Sequence, residues 1–303
     1  MKSSLSAHLG ALFLLITTLF WGGGFVAQKL GASHLGPNAV IVARSALAVL
    51  FLLAVQVVRR RPCLGLDRRT LWAGLWCGVA LFVPMFAQQK AFDFAITPGV
   101  CAFLTANYML LVPVFGIFIG RKASRAEWLG LIPALVGTYL ICLTGEDVFK
   151  VGLGELWTLA CAALFAIEIL VVDRFAPGTD PLALSIVMFA VCAVCGTPLL
   201  LLPSEQALLT AANLKAAVPA LLFLGFGSSG IGYTFQNVAQ GLRTPPALAA
   251  VIMSLESVTG AVFGWLFFGD VLTPRCLLGC ALVFGAALGV ELVHLFGQMR
   301  TRE

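Results

Sequence analysis

Three ionisable side chains sit inside long apolar runs: Arg44 in the run 38–58, Glu168 in 153–172 and Glu256 in 247–268. A charge at that depth in a bilayer costs on the order of 3 kcal/mol by insertion scales, so such residues ask for a use. Glu256 is the only charge in its run. As a cavity carboxylate it would bind a substrate amine or carry a proton; as a packing group it would bond to hydroxyls such as Ser257. The planar fork of Arg44 suits a substrate carboxylate. It could equally pair with a carboxylate of the fold, or reach outward to the interface along its apolar stem. Glu168, five residues before Asp173, faces either a cavity or the interface. Together, a cation for an acid group and a carboxylate for an amine suit an amino-acid-like solute.

Neutral polar residues add to this set. Gln88, Gln89, Asn107, Gln236 and Asn237 lie in apolar runs, where amides serve as helix glue or as ligand contacts. Trp21 and Tyr108 could form an apolar wall for a substrate side chain, although Trp21 also fits an interface belt. Lys90 and Asp93, three residues apart, read as a solvated helix-end pair. Other patterns point to catalysis or metal only weakly. Cys192-Ala-Val-Cys195 has redox or metal spacing but sits among Val, Ala and Phe, which suits small buried thiols in helix packing. Glu291-Leu-Val-His294 occurs once, whereas di-metal bundles use such a motif twice with two further Glu. His8, His34 and His294 are far apart. No nucleophile–base pair stands out, so no catalytic residue, metal or cofactor is expected.

The elements that must position these residues follow from composition. The chain has 303 residues, 60% hydrophobic and 11% charged, with a mean hydropathy of +1.00. A soluble domain carries about 25% charged residues. The fold class is therefore an all-α integral membrane protein, since helices satisfy their own backbone groups in lipid and the runs are too uniform for barrel strands. Ten transmembrane helices are predicted, at 9–27, 38–58, 71–92, 98–119, 126–143, 153–172, 181–202, 218–238, 247–268 and 275–295. The first run is too long for a signal-peptide core and is read as uncleaved. Residues 204–213 suggest a short interfacial helix. The net charge of +5 is explained by loop charges and needs no nucleic acid. With the N-terminus cytoplasmic, 13 Lys and Arg fall in inside segments and 5 outside. The positive-inside rule then places both termini in the cytoplasm.

Two stretches share one layout. Asn107 and Glu256, Gly120 and Gly269, Arg121 and Asp270, and Gly130 and Gly279 are each 149 residues apart. Gln88-Gln89 before Thr97-Pro98 parallels Gln236-Asn237 before Thr244-Pro245. The chain reads as a first five-helix repeat at 1–144, a linker at 145–152 and a second five-helix repeat at 153–303. Five is odd, so the second unit enters the membrane from the opposite side. Two inverted five-helix repeats are the architecture of many secondary transporters, with the substrate at the midplane between them.

Several segments carry a family resemblance: FWGGGFVAQKLG (20–31), Ala43-Arg44-Ser45, AQQKAF (87–92), FLTANYMLLVPVFG (103–116), YTFQNVAQ (233–240) and SLESVTGAVFGWLFFGD (254–270). Together they resemble the drug/metabolite transporter superfamily, in its EamA-type ten-helix branch, across essentially the whole chain. The ninth helix of that family usually reads Leu-Glu-Pro; here Ser257 replaces the proline, which argues against a broken ninth helix. The resemblance implies a multi-pass permease of the bacterial inner (plasma) membrane, commonly an exporter of amino acids or other small metabolites. The expected function is a secondary transporter of small, amino-acid-like solutes by alternating access. The alternative is a lipid-handling or intramembrane enzyme. The expected partners are a small-molecule substrate and the lipid bilayer; ten helices can close their own core, so a monomer is expected.

Overall fold

The computed structural model describes residues 2–59, 66–94, 96–142, 152–268 and 272–300. Its helices are α1 (Lys2–Ala32), α2 (Pro37–Val58), α3 (Arg68–Ala91), α4 (Pro98–Ala106), α5 (Tyr108–Phe118), α6 (Arg125–Cys142) and α7 (Leu153–Phe175). They continue as α8 (Pro181–Gly196), α9 (Pro203–Gln206), α10 (Ala211–Leu222), a π-helical segment (Phe223–Tyr233), α11 (Thr234–Gly241), α12 (Pro246–Met253), α13 (Glu256–Phe268) and α14 (Pro274–Arg300). There is no strand among the described residues. Among the described residues, eight helical stretches are long and apolar enough to cross a membrane. The protein is thus an all-α, multi-pass membrane protein. Large apolar side chains such as Leu50, Trp76, Phe118 and Leu129 are exposed, as a lipid-facing surface requires.

Local chemistry sets most helix starts. Asp67 accepts from Thr70 N at 2.8 Å, Thr97 from Val100 N at 3.3 Å, and Asp180 from Leu182 N and Ala183 N at 2.9 and 3.1 Å. Proline follows the cap at Pro98 and Pro181, where its missing N–H costs nothing. The start of α2 is capped from far away. Glu205 of α9 accepts from Asn38 N at 2.9 Å and from Ala39 N at 3.1 Å. The predicted interfacial helix at 204–213 shrinks to the single turn of α9, which delivers that carboxylate. The predicted linker at 145–152 lies outside the described residues except Gly152, as does the Gly269-Asp270 end of the ninth run.

The fourth and ninth runs are each broken near the middle. The fourth stops at Asn107, between α4 and α5, and the ninth at Ser254-Leu255, between α12 and α13. A broken ninth helix corrects the expectation from the missing proline. Hydroxyl bonds to the backbone flank the break: Ser254 Oγ donates to Val251 O at 2.7 Å and Ser257 Oγ to Ser254 O at 2.8 Å. Ser and Thr back-bonding of this kind bends helices. In the first break Asn107 Nδ2 donates to Phe103 O and Leu104 O at 3.0 and 3.1 Å.

Packing runs between the two sequence halves. α1 lies against α13, the π-helical segment and α11; α7 lies against α3, α4 and α5. α2 packs on α8, and α6 on α14. The main apolar core extends from Ala11 to Val290. Close approach along α6 and α14 rests on glycine: a Cβ on Gly137 would meet Gly279 O at 2.6 Å, and one on Gly130 would run into the Val290 side chain, with Ala286 O in ordinary contact at 3.8 Å. Such contacts bring helix backbones together in lipid.

Candidate functional site

The π-helical segment reads FLGFGSSGIGY. Runs of this length are unusual, since π geometry mostly appears as single-turn bulges, frequently at functional sites. Its glycines let α1 and α2 come close: Gly225 faces Leu47 and Arg44 O, and Gly232 faces Trp21. The segment thereby turns Ser228, Ser229 and Tyr233 toward α2 and α1. Arg44, on α2 and only 4% exposed, donates from Nε to Ser229 Oγ and from Nη2 to Ser228 Oγ, both at 2.9 Å. It forms no ion pair among the described residues.

Arg44 shares a central cavity with two carboxylates, Glu168 of α7 and Glu256 of α13. Glu168 is fully buried and accepts from Gln236 Nε2 at 3.2 Å. Glu256 is the first residue of α13. The positive end of the helix dipole faces a carboxylate placed there. The hydroxyl of Tyr108 stands within reach of the Glu256 carboxylate, and neither that hydroxyl nor Oε1 has a further hydrogen-bond partner among the described residues. Trp21 packs on Tyr233 at 4.7 Å between ring centroids, and its Nε1 has no partner among the described residues. One guanidinium and two carboxylates thus share one small enclosed space, with the Trp21 Nε1 donor beside them.

Of the residues singled out from sequence, Trp21, Arg44, Gln88, Tyr108, Glu168 and Glu256 line this cavity. The other four do not. Gln236 stands behind Glu168 as its donor. Gln89 Nε2 donates to Gln28 O at 3.2 Å, Asn237 Nδ2 to Ser185 Oγ at 2.8 Å, and Asn107 bonds within its own helix break. Phe25, Gln28, Thr105, Phe165, Ile169, Ser228 and Tyr233 complete the lining. The Gly-Ser-Ser-Gly interruption at 227–230 and the 149-residue relation of Thr105 to Ser254 are the signals that point to some of them. Lys90 and Asp93 pair at 2.7 Å, away from the cavity. Cys192 Sγ donates to Gly78 O at 3.4 Å, a packing contact. The side chains of Glu291 and His294 lie outside the described ones. Among the described residues no group of three or more His, Cys, Asp or Glu could hold a metal.

The central cavity measures only about 20 Å³, roughly the space of one water. A second cavity, a vestibule of about 430 Å³, opens at one end of the bundle. It is lined by Arg69, Arg121, Lys122, Arg174 and Arg243, with Asp173 and Glu127. Arg121 and Asp173 pair across it at 2.6 Å. An apolar cleft of about 730 Å³ between the ends of α5 and α7 adjoins it.

A sequence model of the EamA-like transporter family matches residues 8–143 and 152–292. An uncharacterized transporter of Archaeoglobus fulgidus is 26% identical over 95% of this chain and 86% of its own. The threonine/homoserine exporter RhtA of Escherichia coli is 28% identical over 58% of this chain and 57% of its own. One solved crystal structure, 18% identical, superposes with a TM-score of 0.76 over 94% of this chain and 96% of the other; that likeness concerns the fold alone.

Proposed function

The chain belongs to the EamA-like transporter family, and from that premise we propose that it exports small, amino-acid-like zwitterions by alternating access. It is a transporter rather than an enzyme, as its family and relatives are. The observation that carries the substrate class is Arg44. Its buried guanidinium is held by two serine hydroxyls and left without a carboxylate partner among the described residues, in the cavity that also holds Glu168 and Glu256. A solute carboxylate completes the guanidinium, whose planar fork suits it. The solute amine takes Glu256, whose carboxylate lines the cavity beside Tyr108, with Glu168 as the second anion. Trp21, Phe25, Tyr108 and Phe165 flank a small side chain. RhtA, similar over part of the chain, is named for threonine and homoserine, which fits this class.

The architecture we propose is ten crossings in two inverted five-helix repeats. Two features support it. Helix contacts come in exchanged sets: α1 with α11, the π-helical segment and α13 answers α7 with α3, α4 and α5. The contact of Gly137 with Gly279, moved by the 149-residue repeat, becomes the contact of Ala286 with Gly130, which also exists. Exchanging the packings of two such halves opens the central cavity to alternate sides. A cavity of about 20 Å³ is then a contracted state that widens around its solute. The distribution of Lys and Arg supports cytoplasmic termini, with the vestibule facing the cytoplasm, in a bacterial inner membrane. The protein works as a monomer in this reading. Efflux of radiolabelled L-threonine from proteoliposomes is the test. Efflux that saturates and is inhibited by homoserine, but by neither decarboxylated nor deaminated analogues, is expected. Efflux no faster than from empty liposomes for threonine and every other small amino acid would sink the reading.

A further inference from the structure

Outside the central cavity the cations of the vestibule are unequally used. Arg69 Nη2 donates to Pro177 O and Arg121 pairs with Asp173, both at 2.6 Å. Lys122, Arg174 and Arg243 make no side-chain hydrogen bond or ion pair among the described residues, although Arg243 lies within electrostatic reach of Asp173. Positive loop charge alone orients helices. It does not explain a cavity, nor the backbone of Arg243. That residue has φ +65°, the one positive φ among non-glycine residues described. It ends α11 in a tight return, with its N–H on Gln240 O and Thr244 N on Ala239 O, at 2.9 and 3.3 Å. Glycine is the usual occupant of such a position. Here the chain accepts the steric cost and keeps a guanidinium that lines the vestibule.

The vestibule is also close to the transport site. Val112 lines the vestibule and Tyr108 the central cavity, both on α5; Asp173 and Ile169 divide in the same way on α7. Four residues of helix are about 6 Å, so one turn separates the two spaces. A cleft lined mainly by one sign of charge concentrates counter-ions at its floor. We propose that the vestibule is a loading site for the acid group of the solute, an oxyanion held by Arg243 in the field of Lys122 and Arg174, one turn short of the central cavity. This rests on the reading of the protein as a carrier of acid-bearing solutes.

The test uses the full chain, with Arg243→Gly and Arg44→Gln as variants. Glycine adopts φ +65° without steric cost, so Arg243→Gly should melt above the wild type, and any lost binding is not lost folding. Inorganic phosphate, against chloride at equal ionic strength, should raise the melting temperature of the wild type and of Arg44→Gln, but not of Arg243→Gly. In oriented vesicles, Arg243→Gly should raise the KM for L-threonine at the vestibule face about tenfold more than at the opposite face, as loss of a steering charge does. A full phosphate shift in Arg243→Gly, or equal KM changes at both faces, overturns the site. A melt raised by phosphatidylglycerol and not by phosphate assigns the cations to lipid headgroups and overturns the loading role. An Arg243-dependent phosphate shift without any threonine transport would leave the anion site standing and remove only the proposed substrate.

Discussion

Replacing Arg44 by Met separates recognition from folding. The substitution keeps a long flexible stem and removes the guanidinium, with its two bonds to Ser228 and Ser229. Hydrogen bonds to a charged group contribute about 1.5–3 kcal/mol each, so about 3–6 kcal/mol is lost. Against this, the effective penalty of holding an ion away from water, several kcal/mol, is removed as well. The freed serine hydroxyls can turn to carbonyls of their own helix. The two contributions nearly cancel, so Arg44→Met should melt close to the wild type. Binding should behave differently. Removing one partner of a buried, hydrogen-bonded charge pair costs about 2–5 kcal/mol; a loss of about 3 kcal/mol weakens Kd roughly 150-fold. At a threonine concentration of about a hundred times the wild-type Kd, the ligand stabilises the wild type by about 2.7 kcal/mol. The same concentration would stabilise the variant by only about 0.3 kcal/mol. The assay is a thermal-shift titration of detergent-purified protein. A variant that is destabilised yet keeps the full ligand shift would refute the reasoning, because Arg44 would then be a structural cation.

Other consequences are as direct. Glu256→Gln keeps the shape of α13 and removes the charge; we expect intact folding by circular dichroism and at least tenfold slower threonine efflux, about 1.4 kcal/mol in the transition state, and unchanged efflux would count against an amine site. Gly225→Val would set a Cβ 2.5 Å from Leu47 Cβ and 3.2 Å from Arg44 O; overpacking of this kind costs about 1–3 kcal/mol, to be read as a lower melting temperature, and a neutral result would mean that α2 is not pressed on the π-helical segment. Glu205→Ala uncaps α2 and should cost about 1–2 kcal/mol; hydrogen exchange at Asn38 and Ala39 that stays as slow as in the wild type would dismiss that cap.

Much of the fold is written locally. Apolar runs and the Thr-Pro and Asp-Pro starts mark helices within a few residues, because caps and first-turn prolines act over one turn. Arg44, Glu168 and Glu256 are legible because charge inside an apolar run is expensive. What escapes local reading depends on distant partners. Glu205 reads only as a carboxylate of a short interfacial helix, since the N–H groups it caps are 167 and 166 residues away. Ser228 and Ser229 look like small packing residues until π geometry turns them onto Arg44. The break before Glu256 has no proline; it is flanked by hydroxyls that also occur in unbroken helices. Gln236 reads as helix glue or as a ligand contact, and the bond it makes to Glu168, 68 residues away, is not visible in the sequence.

The seam between α6 and α14 has a further meaning. Under the repeat relation, Gly137 on Gly279 and Ala286 on Gly130 are images of each other. On the proposed exchange of halves, the seam maps onto itself, so its energy enters both end states alike and drops out of their difference. It is a fixed line of the mechanism, like the axis of a balance that carries the load without tipping the beam.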